Sequence, residues 1–224
     1  MGRAAAFFDL DRTLLRRSST LALAPAFRRH GVITRTQVAK AAFWQLLFVA
    51  RGTSKERVRS ASEEGLMLLR GFTPVRMQAL VAESLESVLR PLVFGEPLQL
   101  IERHRESGEP TYIVSAALQE VVDAIAADLG FDGALGTVCE VEGGVYTGRS
   151  IRSLHGVNKA VAVRELAAQE QIDLAASSAY SDSHTDLPFL EAVGHPRAVN
   201  PDRLLRRLAA ERGWPVLRFV EHAA

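Results

Sequence analysis

Residues 7–15 read FFDLDRTLL, an apolar run that meets two acids separated by a single leucine. Ala6, Phe7 and Phe8 form a short strand apolar on both faces, and such a strand needs cover on both sides, as in a mostly parallel sheet between helices. The strand breaks into a polar loop at Asp9. In extended chain, residues two apart point to the same side, so Asp9 and Asp11 face one small volume while Leu10 turns to the core. Two carboxylates held there tolerate each other when a hard cation lies between them, and oxygen ligands of this kind suit Mg2+. An Asp pair can also do no more than solvate a turn, so the rest of the chain has to decide.

Past the first strand, residues 16–91 carry helical patterns and no convincing strand. Thr36 caps a helix running to Ala50, with Gly52 beyond it; Ser54 caps a second to Arg70, closed by Gly71; Thr73 and Pro74 start a third that ends near Pro91. The bulky stripe of Phe43, Trp44, Leu47 and Phe48 suits packing between these helices or a greasy wall for an apolar substrate. A block that leaves and rejoins the core beside Asp9 and Asp11 is placed to act as a lid. The predicted organisation is an α/β core of residues 1–15 and 92–224 with a helical cap of residues 16–91.

From Gly95 the rhythm becomes alternating helix and strand. Residues 98–105 read as helix ended by Gly108, and residues 111–114 as a buried strand stopping at Ser115. Residues 118–129 are helical, Gly130, Gly133 and Gly136 break the chain, and residues 137–148 form a hairpin turning at Gly143 and Gly144. Residues 158–169 read as helix, 175–180 as strand, 185–192 as a short helix, 197–199 and 216–219 as strands about a helix at 202–212. This alternation predicts a doubly wound, mostly parallel sheet, whose ligands bind beyond the carboxyl ends of its strands.

Polar groups recur at those ends. Ser115 offers a hydroxyl donor ahead of a helix. Lys159 lies in the first turn of its helix, against the helix dipole, which suits an inward anion-binding role. The strand at 175–180 delivers SDSHTD, with Asp182 and Asp186. Taken singly, these residues also fit a cap, a solvated lysine and an Asp-rich helix start. Taken together, the acids, hydroxyl and lysine can hold Mg2+, a phosphate and a carboxylate nucleophile at once.

The order DLDRT, a strand ending in Ser, a downstream Lys and SDSHTD resembles the haloacid dehalogenase superfamily of phosphohydrolases. The helical insertion after the first motif, with EVEGGVYTG and the closing AVNPD and GWPVLRF, is similar to its phosphoserine-phosphatase-like branch. The resemblance implies a Rossmann-like core and a Mg2+-dependent phosphomonoester hydrolase acting through an aspartyl-phosphate on a small phosphorylated metabolite. It implies Asp9 as nucleophile, Asp11 as general acid and base, and Ser115 and Lys159 as phosphate ligands. Mg2+ would be held by Asp9, Asp182 and the backbone carbonyl of Asp11, with Asp186 orienting the lysine or metal-bound water. Three features depart from the pattern: Arg12 stands where many relatives have Gly or Ser, no acid occurs from Arg12 through Arg35, where phosphoserine phosphatases carry a Glu for the substrate amine, and Thr185 stands where those enzymes have an Asn near the phosphate. Phosphoserine is therefore a possible but not a favoured substrate. A phosphotransferase with the same chemistry and a receiver-like phospho-acceptor domain are the alternatives.

The formal net charge of +1 predicts neither nucleic acid nor acidic membrane as partner. The single Cys139 excludes an internal disulfide and fits a reducing cytoplasm. Residues 41–50, the longest apolar run, fall short of the roughly 18 needed to span a bilayer. Oligomeric state is not readable.

Overall fold

The computed structural model describes residues 2–33 and 65–220. The helix expected from Thr36 to Ala50, most of the one expected from Ser54, and the stripe of Phe43, Trp44, Leu47 and Phe48 lie outside the described residues. Seven described strands form one sheet: β1 (Ala6–Phe8), β2 (Thr111–Leu118), β3 (Gly133–Glu142), β4 (Val145–Arg152), β5 (Ser178–Ser181), β6 (His195–Val199) and β7 (Val216–Leu217). Their order is β4-β3-β2-β1-β5-β6-β7. Every pairing is parallel except the β3–β4 hairpin. The doubly wound α/β reading holds, with β1 central.

That central place follows from the sequence of β1, whose residues are all fully buried. Phe8 faces one side and stacks on Tyr180 with ring centroids 4.4 Å apart; Phe7 faces the other and stacks on Tyr112 at 5.6 Å. Each ring contributes about 2–3 kcal/mol by burial. α1 (Ser19–Arg29) and α2 (Pro74–Ser84) join the apolar cluster of the Phe8 side, and that face of the sheet is covered by α3 (Gly95–Glu106) and α4 (Gln119–Leu129). The Phe7 side is covered by α5 (Val157–Glu170), α6 (Leu187–Leu190) and α7 (Arg203–Arg212).

Thr73 caps α2 as expected, accepting from the Arg76 N–H at 3.2 Å, with Pro74 in the first turn. Beyond Ser84 the helix widens into a π-turn at Leu85–Leu89 and tightens into a 3-10 turn at Arg90–Leu92, where Pro91 brings no N–H. The chain leaves and rejoins the sheet through paired segments: the Arg16 N–H donates to the Leu92 carbonyl and the Phe94 N–H to that of Leu14, each at 2.9 Å. The Gly71 N–H donates to the Tyr146 carbonyl at 2.9 Å, and the Tyr146 N–H to that of Phe72 at 2.8 Å. Residues 71–72 are thereby fastened to the hairpin.

Several expected boundaries move. The strand expected to stop at Ser115 continues to Leu118, because β2 shifts register between Val114 and Leu118 and resumes pairing with Thr137. Gly133 and Gly136 do not break the chain; they lie within β3. A Cβ on Gly136 would come within 2.7 Å of the Gln119 Cα, so glycine there lets the strand lie against α4. The strand expected from Ala175 begins at Ser178, since Asp173 Oδ1 accepts from the Ala175 N–H at 3.0 Å and turns the preceding residues. The last strand is confined to Val216–Leu217. The hairpin turns at Gly143 and Gly144, both left-handed, as expected. No helix among the described residues is long and apolar enough to cross a membrane.

Candidate active site

Three adjacent parallel strands end side by side. Register pairs Phe8 with Ile113 of β2 and with Tyr180 of β5. Asp9 therefore emerges beside the segments that carry Ser115 and Asp182. The Asp9 N–H donates to the Tyr180 carbonyl at 2.9 Å, extending the ladder by one bond before the chain turns. That turn is wound on Leu10, fully buried, whose carbonyl accepts from the N–H groups of Leu14 and Leu15 at 2.9 Å. Thr13 donates its hydroxyl to Asp9 Oδ2 at 3.2 Å.

Among the described residues every buried charged side chain belongs to this place: Asp9 is 6% exposed, Asp182 7%, Asp186 5% and Lys159 3%. Lys159 Nζ donates to Asp9 Oδ1 at 2.5 Å and to Asp186 Oδ2 at 2.6 Å. Asp186 is steadied by the Ser181 hydroxyl, which donates to the same Oδ2 at 2.8 Å. The first turn of α5 thus spends its unfavourable dipole position on a lysine that reaches inward. Burial alone would lower the Lys159 ammonium, but the Asp186 and Asp9 carboxylates outweigh it and hold the group above its ordinary range.

One lysine does not neutralise three buried acids. Burial raises the Asp9 carboxyl to about 7; Lys159 opposes the rise and Asp186 adds to it. Burial raises Asp182 to about 8, the Asp9 charge adds to this, and the Arg12 guanidinium opposes it. Among the described residues no three side chains of His, Cys, Asp or Glu converge tightly enough to hold a metal by themselves. Two carboxylates and a backbone carbonyl, completed by substrate oxygen and water, are nonetheless a donor set of the kind Mg2+ takes, and the excess negative charge fits a hard divalent cation.

Asp11 lies half-buried, and its Oδ1 accepts from the Ser19 N–H at 2.8 Å, at the start of α1. Burial raises its carboxyl above the usual range, and the Ser19 N–H works against that rise. Ser115 is buried at the register shift of β2, a bulge that re-aims side chains; its Oγ accepts from the Ala117 N–H at 3.1 Å, which leaves the hydroxyl proton to donate elsewhere. Arg12, between Asp11 and Thr13, is exposed and holds a left-handed φ of 67°. A non-glycine residue there costs roughly 1–2 kcal/mol.

The loop of Asp182 and Asp186 has a support that sequence reasoning missed. The Asp202 N–H donates to the Asp182 carbonyl at 2.8 Å, and Asp202 Oδ2 accepts from the His184 N–H at 2.9 Å. Its other oxygen caps α7 through the Leu205 N–H at 2.8 Å. The AVNPD run ahead of a helix carried the capping signal, but not the contact with a loop some twenty residues earlier. Thr13 and Ser181 were likewise unread. The structure brings Asp9, Lys159 and Asp186 into direct contact, sets Asp182 in their electrostatic field, and turns Asp11 toward α1.

The family model for haloacid dehalogenase-like hydrolases matches residues 6–191. A Streptomyces azureus protein named for inhibition of morphological differentiation is 43% identical over 97% of this chain and 79% of its own. A probable phosphatase of Mycobacterium tuberculosis is 43% identical over 97% of this chain and 76% of its own. Among solved structures, a Bordetella pertussis protein of unknown function superposes with a TM-score of 0.84 at 31% identity, covering 97% of this chain and 99% of that one.

Proposed function

The chain belongs to the haloacid dehalogenase-like hydrolase family, and from that premise we propose that it is a Mg2+-dependent phosphomonoester hydrolase working through an aspartyl-phosphate on Asp9. Phosphatase activity is supported by the family and by the phosphatase among its relatives. The aspartyl-phosphate mechanism is supported by a single observation: the buried charged side chains among the described residues gather at the ends of neighbouring strands, with Lys159 bridging Asp9 and Asp186.

In this reading an Asp9 carboxylate oxygen bonds to phosphorus as the bond from phosphorus to the leaving oxygen breaks. Asp11 gives its proton to that oxygen. Asp11 then takes a proton from water as the water oxygen attacks the phosphoryl group, which releases phosphate and restores Asp9. The raised Asp11 carboxyl suits the first of these roles. Lys159 and the Ser115 hydroxyl hold the phosphoryl oxygens, and Asp186 keeps the lysine aimed. Asp9, Asp182 and the Asp11 carbonyl would hold Mg2+, which supplies charge neutralisation between carboxylate and phosphate. Residues 16–91 act as a cap over a core of residues 1–15 and 92–224, a division supported by the paired exit and return segments at Leu14, Arg16, Leu92 and Phe94. The substrate is a small phosphorylated metabolite, with phosphoserine possible but not favoured, because no acid occurs from Arg12 through Arg35. The free, buried Cys139 accords with a cytoplasmic location.

Phosphate release from a broad panel of phosphomonoesters, with Mg2+ and with chelator, tests the reading: metal-dependent release supports it, and metal-independent release overturns it. Asp11→Asn is expected to lower turnover by about 10²- to 10⁴-fold. A loss of tenfold or less would assign the proton transfer to another group.

The acid cluster also predicts a pH dependence. With Asp9 raised to about 7 and Asp182 to about 8, the folded metal-free chain keeps protons that the unfolded chain has lost. Its stability therefore falls as pH rises from about 4, the unfolded carboxyl value, to about 8, and most of the difference between about pH 6 and about pH 8 comes from these two acids. Added Mg2+ should stabilise more at the upper pH, where the carboxylates are free of protons. Thermal unfolding with chelator and with Mg2+ at both pH values measures this; a metal-free chain more stable at the higher pH would contradict it.

A further inference from the structure

The residue after the second acid is a cation in a conformation that favours glycine. Arg12 has a φ of 67°, and its neighbours fix that backbone: the Thr13 N–H donates to the Leu10 carbonyl at 3.4 Å and Asp11 accepts from the Ser19 N–H at 2.8 Å. A residue that bears this strain with an exposed side chain gains nothing from core packing. Arg12 forms no ion pair or hydrogen bond among the described residues, yet its charge is felt at Asp182. The sequence around it is one-signed: Arg12, Arg16 and Arg17 follow Asp11, and the next acid in the chain is Glu56. Arg16 is engaged, its Nη2 donating to the Pro91 carbonyl. Arg12 is the cation adjoining the reacting acids that keeps its five donors available.

We propose that Arg12 is a specificity-determining residue that binds a second anionic group, carboxylate or phosphate, on the leaving alcohol. This rests on the phosphatase reading above and adds the class of substrate to it. A planar guanidinium takes either oxyanion through two parallel hydrogen bonds. The leaving group is then the mirror image of an amine-bearing one: it brings negative charge toward a segment, residues 12–35, that carries no acid.

The test compares three aryl phosphates on the wild-type chain and on Arg12→Gly and Arg12→Lys: phenyl phosphate, its para-carboxylate and its para-trimethylammonium analogue, with phenylene bisphosphate as the phosphate arm. For the wild type, kcat/KM is expected to be highest for the anionic esters and lowest for the cationic one. Arg12→Gly should cut the ratio of anionic to neutral kcat/KM by about tenfold, mostly through KM. Arg12→Lys should restore part of it. The melting temperature of Arg12→Gly should not fall, because glycine adopts this φ freely. A carboxylate and bisphosphate preference that both fall identifies a general oxyanion site, and a fall in one alone identifies which group Arg12 takes. An unchanged ratio, or an equal loss on all esters, overturns the assignment to Arg12 while leaving the phosphatase reading intact. Inertness toward every ester overturns both.

Discussion

Asp9→Asn is expected to abolish phosphate release, by roughly 10⁵- to 10⁶-fold, the size of loss that follows removal of a nucleophile. An amide cannot carry the phosphoryl group, whatever the state of its neighbours. The substitution keeps the shape of the side chain at the end of a fully buried strand, so the packing of Phe7 and Phe8 behind it is untouched. It also removes one charge from a cluster in which burial and Asp186 hold the Asp9 carboxyl at about 7. The metal-free variant at about pH 8 should therefore unfold no earlier than the wild type. An inactive chain of undiminished stability is the expected pair of results. Wild-type-like turnover would remove Asp9 from the chemistry.

Lys159→Met should be severe in both stability and activity. It leaves Asp9, Asp182 and Asp186 buried with no buried cation among the described residues. Removing one partner of a buried ion pair costs about 3–5 kcal/mol, because the remaining charge is left without solvent or counter-ion. Part of that cost is relieved where Asp9 takes up a proton, which without the opposing Lys159 happens at a higher pH than in the wild type, so the variant should be most unstable relative to wild type at alkaline pH. Turnover should fall by about 10²- to 10³-fold or more through loss of a charge held against the phosphoryl oxygens. Lys159→Arg should recover stability better than turnover, since a planar fork cannot stand between Asp9 and Asp186 as a compact ammonium does at 2.5 and 2.6 Å. Denaturant unfolding at two pH values, with steady-state rates, checks this; losses below about 1 kcal/mol and tenfold would make Lys159 peripheral.

The parts of the fold written in local pattern were legible. Ala6 to Phe8 read as a buried strand because an apolar run ended abruptly in acid, and the hairpin read because two glycines supplied left-handed backbone at Gly143 and Gly144. The acids, Ser115 and Lys159 stood out because each closes a strand or opens a helix. What escaped depends on contacts between distant segments. The continuation of β2 past Ser115 follows from renewed pairing with Thr137, and the place of Gly136 within β3 from the approach of α4. Asp202 reads locally as a helix cap, and only folding brings it against the Asp182 loop. The short antiparallel contact between Leu15 and Val93 has no periodicity to betray it, though it joins the two ends of the inserted segment.

The most direct test is to quench the enzyme in acid during turnover of its best phosphomonoester and map phosphoryl groups by mass spectrometry of the digested chain. A phosphoryl group on the peptide that carries Asp9, absent from Asp9→Asn and lost on brief alkaline treatment as an acyl phosphate should be, is the predicted result. Turnover that leaves this peptide unmodified while a phosphoryl group accumulates on another residue would contradict it.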